Sequence, residues 1–163
     1  MSGTIAGRTA SEMPGLDIAE FRSWQNFLEA ALRLSSTLNR ELVEAHTVTL
    51  VDVRLLDLLD RSPTGSARMG DLAEALMALP SRITRQIRRL EAHGLVQRQA
   101  SPEDGRGVNA TITDEGRALV AKAKVTYGRG VRVHYLDQLT RAQMTALGEN
   151  CRRINTALQG RSR

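Results

Sequence analysis

The chain has 163 residues, 41% hydrophobic and 25% charged, enough for one compact domain or for a small domain plus helices that pair it with a copy of itself. A single cysteine, Cys151, excludes an intramolecular disulfide, and no apolar run approaches the roughly 20 residues of a membrane helix. The net charge of +5 fits a nucleic-acid partner without singling one out.

Residues 1–16 are rich in Gly, Ser, Thr and Ala, end in Pro14-Gly15 and read as a flexible tail. This start lacks a leader-like apolar segment, so a cytoplasmic protein is expected. A first helix is predicted over about Asp17–Ala45. Phe21, Trp24, Leu28, Ala31, Ser35, Leu38 and Leu42 recur in steps of three and four and form one seam suited to helix-on-helix packing. A second helix starts near Thr49, whose hydroxyl can cap the amide of Asp52, and stops before the turn Ser62-Pro63-Thr64-Gly65. A short third helix covers Asp71–Met77. A fourth runs from Pro80, which suits a first turn, to His93, with Gly94 as the stop.

Two short strands follow, Leu95–Gln99 and Val108–Ile112, with Val108, Ala110 and Ile112 on one side of the second. The stretch between them, Ser101-Pro102-Glu103-Asp104-Gly105-Arg106-Gly107, is a loop by composition. Thr113 caps a fifth helix that is expected to reach about Leu136 and to be weakened or bent at Gly128 and Gly130. Thr140 and Gln143 form a capping box for a sixth helix, whose Met144, Leu147, Cys151, Ile154 and Leu158 again step by three and four.

A short helix, a tight turn, a longer helix and a two-stranded hairpin compose a winged helix-turn-helix, whose second helix lies in the DNA major groove. The predicted fold class is therefore mainly α with a small β-wing. It has a tail at 1–16, a dimerisation helix at 17–45, a DNA-binding module at 46–113 and dimerisation helices at 114–163. On the fourth helix Ile83, Ile87 and Leu90 share one stripe, while Ser81, Arg82, Arg85, Arg88 and Arg89 fall opposite. Arg is the commonest reader of guanine and a frequent phosphate contact. The expected DNA contacts are these five residues with Thr84, Arg98 on the first strand, and Asp104 and Arg106 in the loop. A basic face that merely meets water is the alternative. Twenty-one of the 23 basic residues are Arg, which fits base reading and equally fits a genome that favours Arg codons.

The runs Asp71–Leu76, Ser81–Glu91, Gly94–Arg98, Pro102–Arg106 and Ile112–Arg117 together resemble the MarR family of bacterial transcription regulators. Asp104, Arg106, Thr113 and Gly116 fit the family's wing spacing, and the similarity extends over about residues 17–158. The resemblance implies a homodimer joined through helices one, five and six and bound to a pseudo-palindromic operator. It implies repression, relieved by a small aromatic or phenolic ligand held between the dimer and DNA-binding regions, and a wing Asp that braces the wing Arg. Two departures stand out: Leu79 replaces the Ser that often caps the recognition helix, and Gly105 and Gly107 flank the wing Arg.

No catalytic triad order, phosphate loop, dinucleotide loop or paired-Cys motif is visible, so no enzyme, no catalytic residue and no cofactor are expected. His46, His93 and His134 lack metal-ligand spacing, and no metal is expected. Cys151 reads as packing on the apolar seam, with a redox switch as the alternative. Trp24, Leu28 and Leu56 are the candidate ligand-pocket residues, with core or interface as the other reading of Trp24. A winged module that makes only protein contacts is the competing class.

Overall fold

The computed structural model describes residues 13–101 and 107–160, together with the backbone of residues 4–5 and 8–9. The chain divides into two compact units, residues 1–37 and 38–163.

In the first unit, β1 (Thr4–Ile5) pairs antiparallel with β2 (Arg8–Thr9). The unit also holds the greater part of α1 (Ile18–His46). Asp17 and Glu20 open that helix reciprocally. The Asp17 carboxylate accepts from the Glu20 amide at 2.8 Å, and the Glu20 carboxylate accepts from the Asp17 amide at 2.9 Å. This satisfies two of the donors that a helix start leaves bare. Of the apolar seam, Trp24 and Leu28 are exposed along with Phe27 and Leu32, and the Trp24 and Phe27 rings lie 6.2 Å apart.

The second unit begins with the last turns of α1 and continues through α2 (Leu50–Arg61), β3 (Ser66–Arg68), α3 (Met69–Ala75) and α4 (Pro80–Ala92). It then passes through β4 (Val96–Ala100), β5 (Val108–Ile112) and α5 (Asp114–His134) to a 3-10 turn (Leu136–Gln138) and α6 (Arg141–Gln159). The architecture is the expected one of helices around a small antiparallel sheet. Its core gathers Leu42, Leu55, Leu56, Leu59, Leu72, Ile83, Ile87, Leu90, Val96 and Val120, all with at most 2% of their surface exposed. Each such side chain contributes about 1.5–3 kcal/mol by leaving water.

The local signals act as anticipated at three helix starts. Thr49 and Asp52 form a capping box, Thr113 accepts from the Gly116 amide at 3.1 Å, and Thr140 and Gln143 form a second box. Gly94 ends α4 with φ +73°, and the Leu95 amide reaches back to the Leu90 carbonyl at 3.0 Å. Gly116 allows a close approach: a Cβ there would collide with the Leu95 carbonyl oxygen and with Ile112. That brings the first turn of α5 against the start of β4.

One expectation is corrected. Ser66–Arg68 is a strand that lies beside β5, giving the sheet order β3-β5-β4, where a two-stranded hairpin was anticipated. It carries little intrinsic strand preference and forms because β5 offers it partners. Val108 shares a side with Ala110 and Ile112 but stands 40% exposed, since it lies beyond the reach of the core. The fifth helix is continuous through Gly128 and Gly130 and stops at His134. Gly130 is buried against the side-chain ends of Leu38 and Glu41, which an added Cβ would have to displace.

Candidate nucleic-acid interface

α4 carries no side-chain cap. Leu79 stands at its N-cap position, Pro80 occupies the first turn, and the Thr84 hydroxyl donates back to the Pro80 carbonyl at 2.9 Å. Ile83, Ile87 and Leu90 are buried at 0–1% exposure. Rotation by about 100° per residue then sends Ser81, Arg82, Arg85 and Arg88 outward. All four are exposed, and among the described residues none of the three guanidiniums has a hydrogen bond or an ion pair. The result is a compact patch of positive charge with unused donors.

Arg89 departs from the expected face. Its position on the helix lies toward α2, and its guanidinium donates to the Asp52 carboxylate, which is fully buried. Gln86, three residues earlier on the same side, donates to the other oxygen of that carboxylate. Arg98 is also turned inward to the protein. Its backbone N–H and its Nε both donate to Glu91, at 3.1 and 2.7 Å. The Arg98 hydrogen bond holds the Glu91 carboxyl below its usual range against a small opposing effect of burial. Thus α4 is tied at one side to α2 and at the other to the sheet.

The sequence pointed to neither Asp52, Gln86 nor Glu91 as parts of this site. Asp52 was read only as the residue whose amide Thr49 caps; its further role depends on residues 34 and 37 positions away.

β4 and β5 pair over five rungs, from Val96↔Ile112 to Ala100↔Val108, and the Ser101 amide then bonds the Gly107 carbonyl at 2.8 Å. Asp104 and Arg106 lie outside the described residues.

Trp24 and Leu28 are exposed residues of the first unit, and Leu56 is fully buried in the core of the second. Leu56 lines neither of two clefts of the second unit that lie beside α5 and α4. One, of about 440 Å³, lies between the end of α1 and α5, walled by Glu41, Glu44, Thr126, Arg129 and His134. The other, of about 210 Å³, lies behind α4 among His46, Val48, Arg89, Leu90, His93 and Leu119. His46 bonds Thr126 at 2.8 Å and His134 bonds Glu41 at 2.6 Å. Among the described residues no cluster of metal-ligating side chains occurs, and no helix is long and apolar enough to cross a membrane.

A profile of the MarR family matches residues 48–108. The HTH-type transcriptional repressor Rv2887 of Mycobacterium tuberculosis is 34% identical over 96 residues, 59% of this chain and 67% of its own. The crystal structure of AbsC, a MarR family transcriptional regulator from Streptomyces coelicolor, superposes with a TM-score of 0.84 at 30% identity, covering 91% of this chain and 99% of AbsC. Sco3205, a MarR family transcriptional regulator of the same organism solved in complex with DNA, does so at 0.84 and 34% identity, covering 88% of this chain and 93% of its own.

Proposed function

The chain belongs to the MarR family of transcriptional regulators, not to a family of enzymes, and from that premise we propose that it binds double-stranded DNA sequence-specifically and represses transcription. The observation that carries this reading is the outward set Ser81, Arg82, Arg85 and Arg88, whose guanidiniums have no hydrogen bond among the described residues, on a helix whose other side is anchored in the core. Thr84 completes the groove-facing set. Arg guanidiniums that spend no hydrogen bonds on the protein are left for base edges and phosphates. Asp104 and Arg106, between β4 and β5 in sequence, belong to the reading as contacts to the adjoining minor groove, where Arg is favoured. The DNA complex of Sco3205 and the repressor name of Rv2887 support the same assignment.

The reading includes a homodimer on a pseudo-palindromic operator, with residues 17–45 and 114–163 as dimerisation helices around the DNA-binding module at 46–113. Large apolar side chains left exposed on α1 and α6, including Trp24, Leu32, Ile154 and Leu158, support it, because such surface is normally covered. It also includes release by a small aromatic or phenolic ligand. A MarR-fold regulator from Bordetella bronchiseptica is described as regulated in DNA binding by 6-hydroxynicotinic acid.

Selection of duplexes from a random library, followed by footprinting, tests the core of this reading. The expected result is protection of two half-sites about one helical turn apart. Failure to enrich any sequence over random DNA would overturn it.

A further inference from the structure

Asp52 has more partners than a helix cap needs. Its carboxylate accepts from the Thr49 amide and hydroxyl, both at 2.7 Å, and also from Gln86 and Arg89 of α4. Asp52 is fully buried, whereas the Arg89 side chain is 40% exposed. A capping Asp at the first turn is normally left facing water, with the helix N-terminus as sufficient stabilisation. Here two donors from a different helix close over it.

Apolar contacts alone leave a helix some freedom to roll. The stripe Ile83, Ile87 and Leu90 is non-directional, so it fixes burial more firmly than rotation. A roll of about 20° carries a side-chain tip about 6 Å from the helix axis through about 2 Å. Base-edge recognition tolerates roughly 0.5 Å. Hydrogen bonds to a buried carboxylate are directional, and Gln86 and Arg89, three residues apart, grip it from two points along the helix.

We propose that Asp52 is a positioning residue for DNA recognition: through Gln86 and Arg89 it sets the rotation of α4, and Arg89 serves Asp52 and not a phosphate. This rests on the reading that α4 enters the major groove. Asp52 never touches DNA. It fixes where Arg85 and its outward neighbours stand when the groove arrives.

The test uses the full chain, a duplex enriched by the wild-type protein and a scrambled duplex of equal composition, each titrated at several salt concentrations. Asp52→Asn and Arg89→Met are expected to lower the ratio of specific to scrambled affinity about tenfold, with scrambled affinity and the salt slope nearly unchanged. An equal loss on both duplexes with a slope lower by about one unit for Arg89→Met would make Arg89 a phosphate contact and overturn the proposal. An unchanged ratio in Asp52→Asn would overturn it as well. Should circular dichroism show Asp52→Asn unfolded, Arg89→Met and Gln86→Met decide: an unchanged ratio in both refutes the positioning role. Arg85→Ala separates the two levels. If it alters neither affinity, the placement of α4 in the groove fails and takes the proposal with it; if it alters specificity while the Asp52 network does not, only the proposal fails.

Discussion

Arg98 donates to Glu91 twice, through its backbone N–H and through its side chain, so the first strand of the hairpin hangs directly on the last turn of α4. Strand and helix are seven residues apart in sequence at this contact, and the wing cannot tilt without breaking it.

Glu91→Ala is therefore expected to loosen the hairpin while leaving the core intact. Amide hydrogen exchange in β4 and β5 should quicken, and DNA affinity should fall on all sequences alike. The Glu91 carboxyl is held below its ordinary value of about 4.3, so its contribution is complete above that pH and is lost as pH falls through the lower folded value. The exchange difference between wild type and Glu91→Gln should accordingly be present at neutral pH and vanish in strong acid.

Asp57 makes a similar case between helices. Burial pushes its carboxyl up, but hydrogen bonds from Lys124 of α5 and Arg61 of its own helix outweigh burial and bring it below the usual aspartate range. The bond to Arg61 is 2.9 Å. Because the folded value is the lower one, this stabilisation is present above about pH 3.9 and disappears as pH drops through the folded value. Asp57→Asn should cost about 1 kcal/mol at neutral pH, a modest figure because Lys124 is partly solvated, and calorimetry at falling pH should show the two melting curves converge.

Arg85 stands at the centre of the outward patch on α4. Arg85→Ala is expected to weaken binding to a selected operator by about 1–3 kcal/mol and to relax preference at one base pair per half-site, with less effect on random DNA. Equal losses on both, measured by competition titration, would make it a phosphate contact instead.

Arg106→Ala should leave fold and assembly unchanged, weaken all DNA binding and reduce the salt slope by about one unit, most where flanking DNA is A·T-rich. Asp104→Ala should show a milder form of the same defect. Titrations of Arg106→Ala with unchanged affinity and slope would mean that the wing makes no DNA contact.

Gly116→Ala should destabilise the chain by roughly 1–3 kcal/mol, as the added methyl meets a backbone oxygen that cannot swing aside. Denaturant unfolding measures this, and a neutral result would mean that α5 shifts freely against β4.

What could be foreseen from the sequence was what depends on neighbours three or four residues apart. The Thr49–Asp52 and Thr140–Gln143 boxes, the Gly94 stop and the buried stripe of Ile83, Ile87 and Leu90 are of this kind. So is the outward placement of Ser81, Arg82, Arg85 and Arg88. Contacts between distant segments escaped. Periodicity placed Arg89 opposite the core, yet a long side chain at the margin of a face can turn either way, and Asp52 decided which. β3 escaped for a related reason, since a three-residue strand exists only by virtue of its partner. Gly130 was read by its intrinsic helix cost, whereas in the fold the side-chain ends of Leu38 and Glu41 fill the space that its missing side chain leaves.

The middle position of β5 has a bearing on how such a protein diversifies. β5 is bonded on one flank to β3 and on the other to β4, and the Ser101–Gly107 bond closes the ladder beyond its last rung. The base of the hairpin is thus held by bonds between residues on either side of positions 102–106. A graft of another five-residue segment between Ser101 and Gly107 should keep the parent's melting temperature and change only its DNA preference. New operators would then be acquired by exchanging a short cassette and leaving the core alone.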